Sequence, residues 1–301
     1  MEKTTSSPLV DLDILWKPQD PAASEIMFRN FLPAARQSQD ADRSHLIELL
    51  TQVARAQGAQ AQYNEARATL EEAGKLLEDD ASTYRVSAKI RYLLERGRLY
   101  VLEKTPAQGR VLFSQAWTLA VNSGDDFFTV DVARMMASIV PQKEQEEWLL
   151  RAIQIAEASP QEKARRWLGS LYASLGWKLF DLRQYDNALA TMQKSLSHFK
   201  AFGSEREVFV ARWSAGKILR QMNRLEEALA LQKSLLSQLG PSDAPDGRLF
   251  EEIAECLQAL RQTDEAQMYF ERAYKELSSE QWLTDNQPLK LKRLKDLGKV
   301  R

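Results

Sequence analysis

The stretch Leu171–Leu196, LYASLGWKLFDLRQYDNALATMQKSL, decides how this chain folds. Its apolar residues recur every three or four positions, which is the period of an amphipathic helix and not of a strand. The polar run Arg183-Gln184-Tyr185-Asp186 interrupts the pattern halfway, and a turn that short forces the two helices antiparallel. Gly176, Ala188 twelve residues on, and Ser195 seven beyond that carry small side chains at mid-helix. Small side chains at mid-helix let two backbones approach closely, while Tyr172, Leu175, Leu179, Leu189 and Met192 interlock around the contact.

The same frame recurs along the chain. Small residues stand at Ala54, Gly97, Ala133, Gly176, Gly216 and Ala254. Twelve residues after them come Ala66, Gly109, Gln145, Ala188, Ala228 and Ala266, and seven further on Ala73, Ala116, Ala152, Ser195, Leu235 and Ala273. Sixteen of these eighteen positions are Ala, Gly or Ser, and the internal offsets hold while the step between units varies from 36 to 43 residues. A fixed interior with variable links describes stacked helical hairpins. The reading is therefore an all-α, right-handed α-solenoid of about six hairpins, at about 43–78, 84–122, 125–157, 162–201, 205–239 and 247–278. Breakers fall in the links, at Asp79-Asp80, Ser123-Gly124-Asp125, Ser159-Pro160, Gly203-Ser204 and Gly240-Pro241. End repeats need covers over their apolar faces. Residues 1–42 supply a polar start and a helix from Asp20-Pro21 to about Arg36, and residues 279–301 supply a final capping helix with a basic face.

Bulk properties exclude several function classes. The 301 residues are 44% hydrophobic and 28% charged, with a formal net charge of −1, so nothing draws the chain as a whole to nucleic acid or an anionic membrane. Cys256 is the sole cysteine, and the N-terminus lacks the apolar core of a signal peptide; a cytoplasmic protein is the expectation. His45 and His198 lie far apart, no phosphate-binding or dinucleotide glycine pattern occurs, and paired glutamates such as Glu226-Glu227 are ordinary on helix surfaces. No cofactor, no metal and no enzymatic activity are expected, and Cys256, beside Leu257 on an apolar helix, reads as an inert buried thiol.

The runs Leu171–Leu196 and FEEIAECLQALRQTDEAQMYFERAY at Phe250–Tyr274 resemble the tetratricopeptide repeat (TPR) family. The likeness covers about 43–278, and its long steps resemble the longer-repeat branch of that family. The resemblance implies that first helices line a concave groove, with the residue after each mid-helix small site pointing into it. Those residues are Arg55, Arg98, Arg134, Trp177, Lys217 and Glu255, with Trp213 one turn before Lys217 and Arg220 near the later turn. The implied function is a non-enzymatic adaptor or scaffold that binds a protein or peptide, acidic with an apolar anchor. Arg55, Arg98 and Arg134 would meet its carboxylates and Trp177 and Trp213 its apolar part, with Lys217 and Arg220 also in the groove. The alternative is a ligand-responsive regulator acting through a second protein. Internal pairing competes for the same charges, since Asp131 precedes Arg134 by three residues and Arg91 precedes Glu95 by four. Leu12, Ile14, Leu15 and Trp16 could also fill the groove.

Overall fold

A computed structural model of the chain describes residues 12–38, 42–78, 84–240 and 246–300. The polar stretch 1–8, Leu9, the Asp79-Asp80 link, Pro241 and Arg301 lie outside the described residues, as does the side chain of Ile14. All regular structure in the described residues is helical, and the chain divides into two compact units, Met1–Arg165 and Arg166–Arg301.

The first unit opens with the short helix α1 (Leu12–Leu15) and the cap α2 (Pro21–Gln37), which packs on α3. Three hairpins follow: α3 (Ser44–Ala59) with α4 (Tyr63–Glu78), α5 (Val86–Leu102) with α6 (Pro106–Ser123), and α7 (Asp126–Ile139) with α8 (Gln142–Ala158). The unit ends at α9 (Glu162–Arg165). The second unit holds α10 (Leu168–Asp181) with α11 (Tyr185–Phe202), α12 (Glu205–Gln221) with α13 (Leu225–Leu236), and α14 (Gly247–Ala259) with α15 (Thr263–Leu277). It closes with α16 (Gln281–Asn286) and α17 (Pro288–Leu297).

Two expectations need correction. The single helix expected over 162–182 is two, α9 and α10, with Arg166 and Trp167 between them. The early piece belongs to the first unit: α9 packs on α7, Ala164 is fully buried, and Arg165 donates Nη1 to the Ser159 carbonyl at 2.7 Å. The tail is likewise two helices, because Pro288 disfavours helical backbone in the residue before it and has no N–H to donate, yet suits the first turn of α17.

The seams follow the small-residue frame. Seventeen of the eighteen frame positions are buried; Gln145 is the exception. A methyl added to Gly109 would sit 2.9 Å from the Gly97 carbonyl oxygen, so α5 and α6 meet backbone to backbone. One added to Gly176 would lie 3.5 Å from the Ala188 carbonyl and 3.1 Å from Met192 Cε, the corresponding contact of α10 with α11. Around the seams, Phe28 and Phe113 are fully buried in the first unit, and Phe250 and Phe270 nearly so in the second.

Five hairpins turn by one device. Ala61, Lys104, Arg183, Asn223 and Arg261 adopt left-handed φ of 60–63°. The next residue's N–H then reaches five positions back, as in Gln62 to Gln57 at 2.9 Å, Gln184 to Leu179 at 2.9 Å and Arg224 to Leu219 at 3.0 Å. The hairpin α7–α8 differs. Val140 and Pro141 are extended, and Pro141 has no N–H to close such a turn. There Gln145, which breaks the small-residue rule, donates Nε2 to the Val140 carbonyl at 3.4 Å.

Candidate functional site

In the first unit α5 lies against both α3 and α7. Because each of Arg55, Arg98 and Arg134 follows a seam residue by one position, all three emerge on the same side of their helices, and with Trp16, Glu95 and Met135 they line a cavity of about 290 Å³. Arg98 is largely buried and pairs twice: with Glu95, one turn back, and with Asp131 of α7, donating Nη2 at 2.6 Å. Arg134 donates Nη2 to the other Asp131 oxygen at 2.6 Å, so the pair anticipated from their spacing forms. Burial works to raise the Asp131 carboxyl, but Arg98, Arg134 and Arg55 outweigh it and hold the group well below the usual carboxylate range. Arg55 differs from its two neighbours. Its guanidinium lies 4.5 Å above the Trp16 ring and makes no ion pair among the described residues. Burial, reinforced by the Arg98 charge, lowers its pKa to about 10. Three guanidinium groups thus share two carboxylates in this wall.

The segment carrying Trp16 crosses the same face. Asp13 of α1 accepts from both Nη atoms of Arg91 on α5, at 2.8 and 3.0 Å, and lies 3.6 Å from Lys163 on α9. Leu12 is buried, and with Leu15 and Trp16 it joins the cluster that includes Phe28, Leu46 and Leu50. Burial opposes the Asp13 charge, yet the Arg91 hydrogen bond and charge leave its pKa lowered. The local Arg91–Glu95 pair that the four-residue spacing suggests does not form: Arg91 turns to Asp13 and sits 5.1 Å from the Phe128 ring centre, while Glu95 goes to Arg98. Arg91 and Asp13 are the residues that spacing alone missed. Their partnership spans 78 positions and follows no periodicity.

In the second unit Trp177 and Phe180 of α10 and Trp213 of α12 form an aromatic wall. Trp177 meets Phe180 edge-on at 5.3 Å and Trp213 at 6.1 Å between ring centres. Trp213 is half-buried, donates its indole N–H to the Arg248 carbonyl at 3.3 Å and lies 5.3 Å beneath Lys217 Nζ. Lys217 and Arg220 are both committed to the buried Glu252. Lys217 approaches to 3.3 Å, and Arg220 grips both carboxylate oxygens at 2.8 and 3.1 Å. The acidic positions Glu251 and Glu255 are covered by α17, through Lys290 to Glu251 at 2.7 Å and Arg293 to Glu255 at 3.1 Å. The basic face of the tail helix is therefore partly spent on the chain's own acids.

Little else could carry chemistry. Among the described residues no group of His, Cys, Asp and Glu is arranged to hold a metal ion, and no helix is long and apolar enough to cross a membrane. Cys256 is fully buried, and that burial, with Glu252 close by, pushes its thiol up to about 12.

No protein-family model and no curated protein sequence matches the chain. Solved structures do. The apo form of RapI superposes with a TM-score of 0.71 at 14% identity, over 96% of this chain and 82% of RapI. The apo quorum sensor NprR from B. thuringiensis gives 0.64 at 13% identity, over 94% and 80%. A signal transduction ATPase with numerous domains from Pyrococcus horikoshii, which has a tetratricopeptide repeat sensor, gives 0.68 at 15% identity; 94% of this chain is covered but only 45% of that protein's length. At such identities the likeness is one of fold, and it agrees with the hairpin frame: the chain is a helical solenoid of the tetratricopeptide-repeat type.

Proposed function

We propose that this chain is a non-enzymatic interaction module that binds a protein segment on the faces of its first helices, the segment being acidic with an apolar anchor. One observation carries the reading: the half-buried Arg55 guanidinium stacks on Trp16 and makes no ion pair among the described residues, on the wall of a cavity that Arg98 and Arg134 also line. Glu95 and Asp131 act on Arg55 without forming an ion pair with it, and a ligand carboxylate would give it a direct charge-assisted contact. The half-exposed aromatic wall of Trp177, Phe180 and Trp213 offers apolar contact in the second unit. Arg98, Arg134, Lys217 and Arg220 then serve mainly to hold the faces together, because their charges already have partners in the chain.

The test is titration of a partner isolated with the full chain against Arg55→Glu and Trp177→Ala. Loss of a buried charge contact costs about 2–5 kcal/mol, so Arg55→Glu should weaken binding more than tenfold. Unchanged affinity in both variants would refute the reading. Regulation by a small ligand is the second reading, favoured by the sensor descriptions of the proteins that share this fold. A small molecule that raises the melting temperature by several degrees would support it, whereas a single stoichiometric protein partner would support the adaptor.

A further inference from the structure

The first-unit face already holds a ligand-like segment, and it belongs to the chain. α1 is four residues long, too short to be helical on its own, so its order comes from what it touches. Those contacts are the ones an acidic, apolar-anchored ligand would make: Asp13 clamped by Arg91, Leu12 buried, and Trp16 laid on Arg55. The attachment point is separate from the occupied face. Asp20 caps α2 through Ala23, Lys17 donates its backbone N–H to Ser24 Oγ at 2.9 Å, and the Ser24 side chain is completely buried. The chain from Lys17 onward is thus fixed without help from residues 12–16. Arg91 would keep favourable surroundings if Asp13 left, since Glu48 and Glu95 act on it and the Phe128 ring stays beside it.

Resting on the peptide-binding reading above, we infer that Leu12–Trp16 is a resident, displaceable ligand. The external partner is a peptide or helix that repeats its apolar–acidic–aromatic order and adds a carboxylate for Arg55. The resident segment leaves that contact unmade: what it lays on Arg55 is the Trp16 ring, and the next residue, Lys17, carries the wrong sign to pair with a guanidinium. A partner with an acid at that position would match the surplus charge and displace the resident.

The test uses the full chain and a fluorescein-labelled peptide of residues 9–17 in which Lys17 is replaced by Glu. The Asp13→Lys/Trp16→Ala double variant opens the face. Anisotropy should show the opened chain binding at least tenfold more tightly than the unaltered chain, and Arg91→Glu in the opened chain should abolish binding. A short tether supplies an effective concentration of about 1 mM, so a segment that occupies its face in cis must bind in trans below that value. Equal affinity for both chains, or no binding by the opened chain up to about 1 mM, overturns the inference. A second measurement needs no variant: excess peptide should speed hydrogen exchange in residues 12–16 of the unaltered chain, and binding that leaves their exchange unchanged also overturns it. The outcomes separate the two readings. A partner sensitive to Arg55→Glu that leaves residues 12–16 protected keeps the groove and removes the resident ligand.

Discussion

Gly97 and Gly176 occupy the same position in their hairpins but have different neighbours. A methyl at Gly97 would lie 2.8 Å from Phe113 Cδ1, in a ring that is fully buried and has nowhere to move. A methyl at Gly176 meets the flexible end of Met192. Gly97→Ala should therefore lose about 1–3 kcal/mol by overpacking, while Gly176→Ala should be neutral or gain up to about 1 kcal/mol from helix propensity, both read by urea denaturation. Asp131 shows that burial and charge act together at one residue. Asp131→Asn would leave Arg98 and Arg134 without their shared counter-charge, and the expected loss is about 3–5 kcal/mol in the same measurement. Cys256 should resist thiol reagents in the native chain and react only on unfolding, since both burial and its raised pKa suppress the thiolate.

Among the elements, the turns are where the sequence works against its own backbone. Lys104, Arg183 and Arg261 hold left-handed φ, a conformation that costs a non-glycine residue about 1–2 kcal/mol. Lys104→Gly, Arg183→Gly and Arg261→Gly should each stabilise the chain by about 0.5–1 kcal/mol, once glycine's greater freedom when unfolded is counted. Val140→Gly in the third hairpin should bring no such gain, because Val140 is extended. A thermal-denaturation series that found equal effects at all four positions would contradict this. The stretch that decided the fold was legible for the same local reason: small residue, turn and second small residue lie within about twenty positions of one another. The broken helix at Arg166-Trp167 was not legible, because what separates α9 from α10 is the docking of α9 on α7, a contact between residues far apart in sequence.

For the molecule as a whole, acid should act in two stages. Burial lowers the His45 pKa against the opposing pull of Glu48 and Asp42, with Arg85 adding to the burial, so the unfolded chain takes up this proton first. Stability should begin to fall as pH drops below about 6.5. Asp13 and Asp131 are depressed below 3.8 in the folded chain, so what they contribute is complete above that value and is lost as pH falls through their lower folded values. Denaturation midpoints across pH 2–8 should show a shallow decline below about 6.5 followed by a steep one below about 3.8, and His45→Gln should flatten only the shallow part. By itself the sequence determined the hairpins and their seams, because a seam is set by spacings within a single hairpin. Only the tertiary structure decided where the arginine charges go: Arg98 to Asp131 across 33 residues, Arg91 to Asp13 across 78, and Arg55 to the Trp16 ring. A long guanidinium side chain can reach any carboxylate that packing brings near it, and neighbours of that kind are created by folding and not by spacing.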